Sequence, residues 1–343
     1  MRLRTGLAAA VAASLVLFVF TSSICTSRAA ENLPSQLSDA EYWKIISDFS
    51  EPSGYFQHEI VTSNEISYQY VLPQLMRTAR SAGTYLGVGP EQNFTYIAAL
   101  QPKIAFVIDI RRDMMLEHLL YKSIFEMSTD RTEFVAFLFS RKAPAQLTAD
   151  SPVQTIFQAF GRIPPDMTLA EEHLKDILVR LKTRHRFPLT ADDESGIRAI
   201  YMKFVREGVL NFSSSFMSPG YAALMTMTDG AGKNWSYLAA RESYDRIRAM
   251  HQKNLIVPLV GDFAGPKAIR MAGQYLKDHG ATVSVFYISN VEDYVQAVWR
   301  QYASNIASLP FDASSVFIRW SPGSSTSLAS IADFVRASRR APR

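Results

Sequence analysis

The residues with the plainest chemical meaning are two glycines separated by one residue, Gly87-Val88-Gly89, and an acid, Asp109, 20 positions after the second. Glycine permits a tight turn and lets a ligand approach the backbone closely, and Pro90 suits the first turn of a helix. An acid at the tip of the following strand accepts hydrogen bonds from the two hydroxyls of a ribose. A dinucleotide turn would carry a third glycine at position 92, where this chain has Gln92. No glycine then clears a pyrophosphate path over the helix N-terminus, so the fitting ligand bears a ribose but no phosphate.

Other candidates lie on later loops. In Val260-Gly261-Asp262-Phe263-Ala264, Asp262 is placed to orient or deprotonate a nucleophile, or else to cap a helix beginning near Ala264. Phe263 is a candidate to stack on a flat ligand. Asn290 is read both as a helix cap and as a ligand contact, with Glu292 and Asp293 favourable in a first helical turn. Arg111 either pairs with Asp109 or faces the site, and Arg112 reads as a solvated charge. Glu117, His118, Tyr121 and Glu126 share one helix, where a lone histidine is more often structural than catalytic. The six histidines form no HxxxH or HxH pattern, so no metal site is expected. The loop 228–235 lacks the spacing of a phosphate loop, and no Gly-x-Ser-x-Gly elbow is present. Tyr55, Phe56, Asn64 and Glu65 are candidates for a lid.

These residues need a scaffold that brings strand ends together. Short apolar runs at 84–88, 104–110, 221–228, 255–260, 282–289 and 315–320 read as strands. Helical patterns at 38–49, 68–81, 91–100, 114–127, 131–139, 237–252, 264–279 and 291–304 surround them. Residues 147–216 break the rhythm with Pro152, Pro164, Pro165 and Pro188 and read as a helical insertion, its clearest helices at 169–182 and 192–207. The basic tail from Ser338 reads as loose. The alternation predicts an α/β fold: a doubly wound, mainly parallel sheet whose ligand sits beyond the carboxyl ends of the strands.

The chain has 343 residues, 48% hydrophobic and 20% charged, an ordinary globular composition. Residues 1–29 read as an export signal: Arg2 and Arg4, an apolar run over 7–20, then Ser27-Arg28-Ala29 at a small-x-small site. The apolar run is short for a membrane span, and Ile24 before Cys25 is a poor match to a lipoprotein site. Cleavage would remove Arg2, Arg4 and Arg28 and no acid, taking the formal charge from +4 to +1 and leaving no nucleic-acid signal. The one cysteine would leave with it. The mature protein is thus expected in the periplasm or outside the cell, without thiol chemistry.

The stretches YLGVGPEQNFTYIAAL, FVIDIRR and YISNVEDYV carry a resemblance. Over roughly residues 80–127 and 220–320 the chain resembles the class I S-adenosylmethionine-dependent methyltransferases. It looks more closely similar to a family of exported bacterial proteins with that Rossmann-like fold and without an established activity. The resemblance implies that Gly87 and Gly89 hold the amino-acid part of S-adenosylmethionine and that Asp109 holds its ribose. The acid usual two residues before the first glycine is Tyr85 here, which moves the ammonium contact to Glu91 or Asn93. Because S-adenosylmethionine is a cytoplasmic metabolite, the export signal keeps a second expectation open: a non-catalytic binding module of the envelope that retains the fold.

Overall fold

The apolar runs that the sequence marks as strands meet in one sheet. A computed structural model describes residues 32–57, 61–79, 83–207, 219–321, 323 and 325–340. These belong to one compact unit, Glu31–Arg343. Residues 1–29, read as an export signal, and with them Cys25, lie outside the described residues, as does the end of the insertion from 208. Strands β1 (Thr84–Gly87), β2 (Ile104–Asp109), β3 (Ile256–Val260), β4 (Val283–Ser289) and β5 (Val316–Arg319) are parallel, and β6 (Ser327–Ser330) runs antiparallel to β5. The spatial order is β3-β2-β1-β4-β5-β6. The chain therefore reverses its direction of winding between β1 and β4, and a crevice opens at the carboxyl ends of those two strands. Every residue of β1, β2 and β3 is buried, as strands covered on both faces require.

Helices follow the strands. The first, α1 (Asp39–Phe49), begins with a capping box in which Ser38 and Glu41 bond each other's backbone, and it packs on β3. Then come α2 (Leu72–Thr78), α3 (Gln92–Leu100) and α4 (Arg112–Met127). Residues 114–125 of α4 are all buried, because the helix touches β2 and β3 on one side and the insertion on the other. Helix α5 (Arg131–Phe139) leads into that insertion, which holds α6 (Val153–Phe160), α7 (Met167–Val179), a π-helical turn Arg180–Arg184, and α8 (Ala191–Glu207). Helices α9 (Tyr221–Thr226) and α10 (Arg241–Gln252) return the chain to β3. After β3 come α11 (Ala268–Asp278), and after β4 the short α12 (Val291–Tyr294) and α13 (Trp299–Ser308). Helix α14 (Ile331–Arg340) follows β6.

Four sequence expectations change. The run at 221–228, expected as a strand, is helix α9: it is short and apolar, but Ala222, Ala223, Leu224 and Met225 are strong helix formers and no strand flanks it. The helix expected over 291–304 is broken by a 3₁₀ turn at Gln296–Val298, where Val295 and Val298 leave helical geometry. The helix expected over 68–81 contracts to Leu72–Thr78. The tail forms α14, held by buried Ile331 and Val335 and by Phe334 against Trp299, Tyr302 and Phe317. Strand β6 carried no signal, because SLAS has no apolar alternation and gains its partner only through β5. The result is an α/β fold with a mixed, mostly parallel sheet.

Candidate ligand site at the switch point

Strand β1 ends at Gly87, where a Cβ would lie 1.9 Å from Oδ1 of Asn93. Only glycine fits there. Gly89 has φ +77°, the left-handed region that a side chain resists. Asn93 braces the turn from beneath: its Nδ2 donates to the carbonyls of Val88 (2.9 Å), Gly89 (3.2 Å) and Pro90 (2.7 Å), and its Oδ1 accepts from the Tyr85 hydroxyl at 2.8 Å. Asn93 is thus engaged by the turn itself, and Tyr85 holds Asn93 in place.

A strap from the N-terminal region crosses this turn. The Ser63 N–H donates to Oε1 of Glu91 at 3.1 Å, and Glu65 lies buried between the strap and β4. Oε1 of Glu65 accepts from the hydroxyls of Tyr287 and Ser289, while Gln92 Nε2 donates to Tyr287 Oη at 2.7 Å. On the other side of the turn, His118 Nε2 meets the Gly89 carbonyl at 3.0 Å. That carbonyl only accepts, so Nε2 carries the proton and Nδ1 is left as an acceptor.

Five buried atoms around the turn have no protein partner: Glu65 Oε2, Glu91 Oε2, Gln92 Oε1, Glu117 Oε1 and His118 Nδ1. All five can accept a hydrogen bond. The nearby Tyr121 hydroxyl is also unpartnered and is the one group there that donates readily. Leaving such groups unpaired costs on the order of 1–3 kcal/mol each, so five gathered from the strap, the turn and α4 form a feature that stability alone does not explain. Burial pushes the Glu65 carboxyl up to about 7, against the hydrogen bonds from Ser289 and Tyr287. Burial does the same to Glu91, again to about 7, although the Ser63 N–H opposes it. Glu117 is raised well above the usual carboxylate range by burial and by the neighbouring Glu91. The His118 ring is lowered to about 4 by burial. Burial outweighs the hydrogen bonds to Glu65 and Glu91, and at Glu117 it outweighs the opposing charge of Arg111.

The other expected residues divide. Asp109 sits at the end of β2, where its Oδ1 accepts from the Arg111 N–H at 2.9 Å and faces the Arg111 Nε at 3.4 Å. Burial raises its carboxyl and Arg111 opposes the rise. The Arg111 guanidinium lies 5.9 Å from the Phe56 ring, which packs edge-on against Tyr294 at 5.0 Å. Arg112 is bound to Asp193 of α8 at 2.6 Å rather than solvated. Asp262 Oδ1 accepts from the Ala264 N–H at 2.8 Å, a turn within the loop; it does not cap the helix as expected, because α11 begins at Ala268 rather than near Ala264. The N-terminus of α11 is already supplied with an anion: the Glu51 carboxylate accepts from the N–H groups of Asp262, Lys267 and Ala268. Phe263 is buried against Phe286 at 5.7 Å and has no face left for a ligand. Asn290 is half-buried at the end of β4 and makes no side-chain cap.

Of the residues expected to form a lid, Tyr55 and Asn64 are exposed and Phe56 lies on the rim. Glu65 is beneath the strap as a wall of the site. Gln92, read only as a missing glycine, contributes a side chain to that wall. Glu117 and His118 had one usable signal: polar residues inside a helix that is otherwise apolar all round. Among the described residues, no group of three or more His, Cys, Asp or Glu is arranged to hold a metal ion. No described helix is long and apolar enough to cross a membrane.

Residues 60–153 and 201–337 match the family model named Domain of unknown function (DUF7790). The match spans well over half of the chain, and the chain belongs to that family. It includes the strap, the turn, Asp109, Glu117, Asp262 and the end of β4, and it leaves out 154–200, where α7, the π-helical turn and most of α8 lie. Compared with curated proteins, the chain has no match.

Proposed function

We propose that this member of the DUF7790 family is an exported protein that binds a small, donor-rich ligand of the S-adenosylmethionine or adenosine type at the β1–β4 switch point. The observation that carries the reading is the acceptor-dominated lining of the turn. A phosphate or a free carboxylate would meet the ionised forms of Glu65 and Glu91 with like charge. An ammonium, a sulfonium, an exocyclic amine or a pair of hydroxyls would give those atoms what they lack. The strand order agrees with a Rossmann-like, methyltransferase-like sheet, in which ligands bind at such a switch point.

In this reading Asp109 takes the ribose hydroxyls, and Glu65 and Glu91 take the ammonium that the tyrosine at position 85 leaves without its usual partner. Glu65 reaches the site from the strap rather than from β1. Asn290 contacts the ligand from the end of β4. When bound, S-adenosylmethionine supplies an electrophilic methyl group for an acceptor nucleophile. Asp262 bonds the Ala264 N–H through Oδ1 alone and is the candidate to hold the acceptor's proton through its other oxygen.

A second reading, a non-catalytic interaction module of the envelope, is favoured by a specific observation. Glu51 occupies the α11 N-terminus and Phe263 is part of the core, so two places expected to serve chemistry are committed to structure. Calorimetry of residues 30–343 with S-adenosylmethionine and with S-adenosylhomocysteine separates the readings. Saturable heat from the wild type that is lost in Asp109→Ala supports the ligand site. Absence of heat from either compound with the folded wild type sinks it, and methyl transfer with it.

A further inference from the structure

The geometry points to a second ligand site, at the opposite end of the sheet, that takes a small molecule bearing a phosphate or carboxylate group. A cleft of about 440 Å³ lies where the N-terminus of α1 meets α4, the π-helical turn and the segment that leads into β3. That volume is within the range of small-molecule sites. Its charged lining is Asp39, Glu126, Arg180, Arg184 and His185.

The two carboxylates are already answered by the protein. Glu126 is bound from behind by the buried Lys122 at 2.6 Å and from the cleft by His185 Nε2 at 2.7 Å. Asp39 accepts from His185 Nδ1 at 2.9 Å and from Asn254 Nδ2 at 2.9 Å. The arginines are not answered in the same way. Arg180 has one long contact, 3.3 Å, with Glu126, and Arg184 makes no hydrogen bond or ion pair with any described residue. A purely structural staple between the insertion and the body would need His185 and Arg180 but has no use for Arg184. The guanidinium groups thus face the cleft with spare N–H donors, which suit the paired oxygens of a carboxylate or phosphate.

The local backbone supports the assignment. Helix α7 does not stop at Val179 but widens into the π-helical turn that carries both arginines, and such turns are rare and concentrate at functional sites. Arg180, Arg184, His185 and Asp39 all fall outside the residues that the family model matches. Glu126, Gln252 and Asn254 lie within the match, so the cleft joins matched and unmatched segments, and it stands independently of the switch-point reading.

The test is titration calorimetry and thermal melting of residues 30–343 with inorganic phosphate and, separately, malonate. The expected result is saturable binding of at least one anion with a rise in Tm, weakened about tenfold or more in Arg184→Gln, the scale of a lost charged hydrogen bond. Because Arg184 is exposed and unpaired, the variant should melt like the wild type without ligand. Binding of phosphate alone assigns a phosphoryl group, and binding of malonate alone a carboxylate. No saturable binding of either anion, or binding that Arg184→Gln leaves unchanged, overturns the proposal.

Discussion

Two buried polar regions at opposite ends of one sheet use the same residue types to opposite effect. At the switch point, Glu65 and Glu91 have hydrogen-bond donors for only one oxygen each and no cation, and burial lifts both carboxyls to about 7. At the amino-end cleft, burial would also raise the Glu126 carboxyl, but the hydrogen bond from His185 and the charge of Lys122 outweigh it and bring it to about 2. Glu126 is part of a completed network that ties the insertion to α4 and α1. The switch-point acids each keep one oxygen without a hydrogen-bond partner among the described residues. Burial of a carboxylate does not by itself mark a site. What marks it is whether the fold also supplies the partner.

The largest effect expected from this contrast is at Glu126. Replacing it in Glu126→Gln leaves Lys122 buried without its counter-charge, and urea denaturation should show a loss of about 3–5 kcal/mol. Glu65→Gln should act in the other direction when no ligand is bound. At pH 8 it removes a buried charge that has no cation, and stability should rise by up to about 3 kcal/mol. Equal losses from the two substitutions would dissolve the comparison.

The pH dependence sharpens the contrast, because the two ends have opposite signs. The folded-state values of Glu65 and Glu91 lie above their unfolded values, so their contribution is fully present below about pH 4.5 and is lost as pH rises toward 7. The folded-state value of Glu126 is depressed, so its contribution is present above about pH 4.5 and is lost as pH falls toward 2. Stability of the ligand-free protein should therefore fall on both sides of the mildly acid range. A Glu65→Gln, Glu91→Gln double variant should flatten the neutral side alone. Loss of the acid side instead would show that the carboxyls had been assigned to the wrong ends.

A smaller effect is expected at the turn that carries the acceptors. Gly89→Ala forces a side chain into the left-handed region and should cost about 1–2 kcal/mol by thermal melting, while ligand binding falls much further than stability. The smallest is at the rim, where Tyr294→Ala should change stability by less than about 0.5 kcal/mol, since that residue is 46% exposed.

The strands and the turn were legible in the sequence because their signals are local. An apolar run followed by Gly87-Val88-Gly89 needs no tertiary knowledge, and the acid at the end of the next run follows from chain direction. Segment 221–226 was not legible, since so short and mostly apolar a run satisfies either period and only the absence of a neighbouring strand decides. The site was legible only in its floor. Gly87 and Gly89 form the turn itself, and Asp109 with its partner Arg111 stands at the end of the neighbouring strand. Its walls were hidden, because Glu65 and Tyr287 are 222 residues apart and meet only through the fold. Asn93 and Phe263 have residue types that suit a ligand, yet the structure shows them bracing the turn and filling the core.

The central claim is that the switch point completes its carboxyls with a cationic, donor-rich ligand. The most direct measurement is calorimetric titration of S-adenosylmethionine into residues 30–343 at pH 7, repeated in phosphate and in Tris buffer. A cation beside Glu65 and Glu91 lowers their raised carboxyls, so binding should release protons and the heat should differ between the buffers. The Glu65→Gln, Glu91→Gln variant should lose both the proton release and most of the affinity. Binding with no proton release, or with the same release in that variant, would contradict the account.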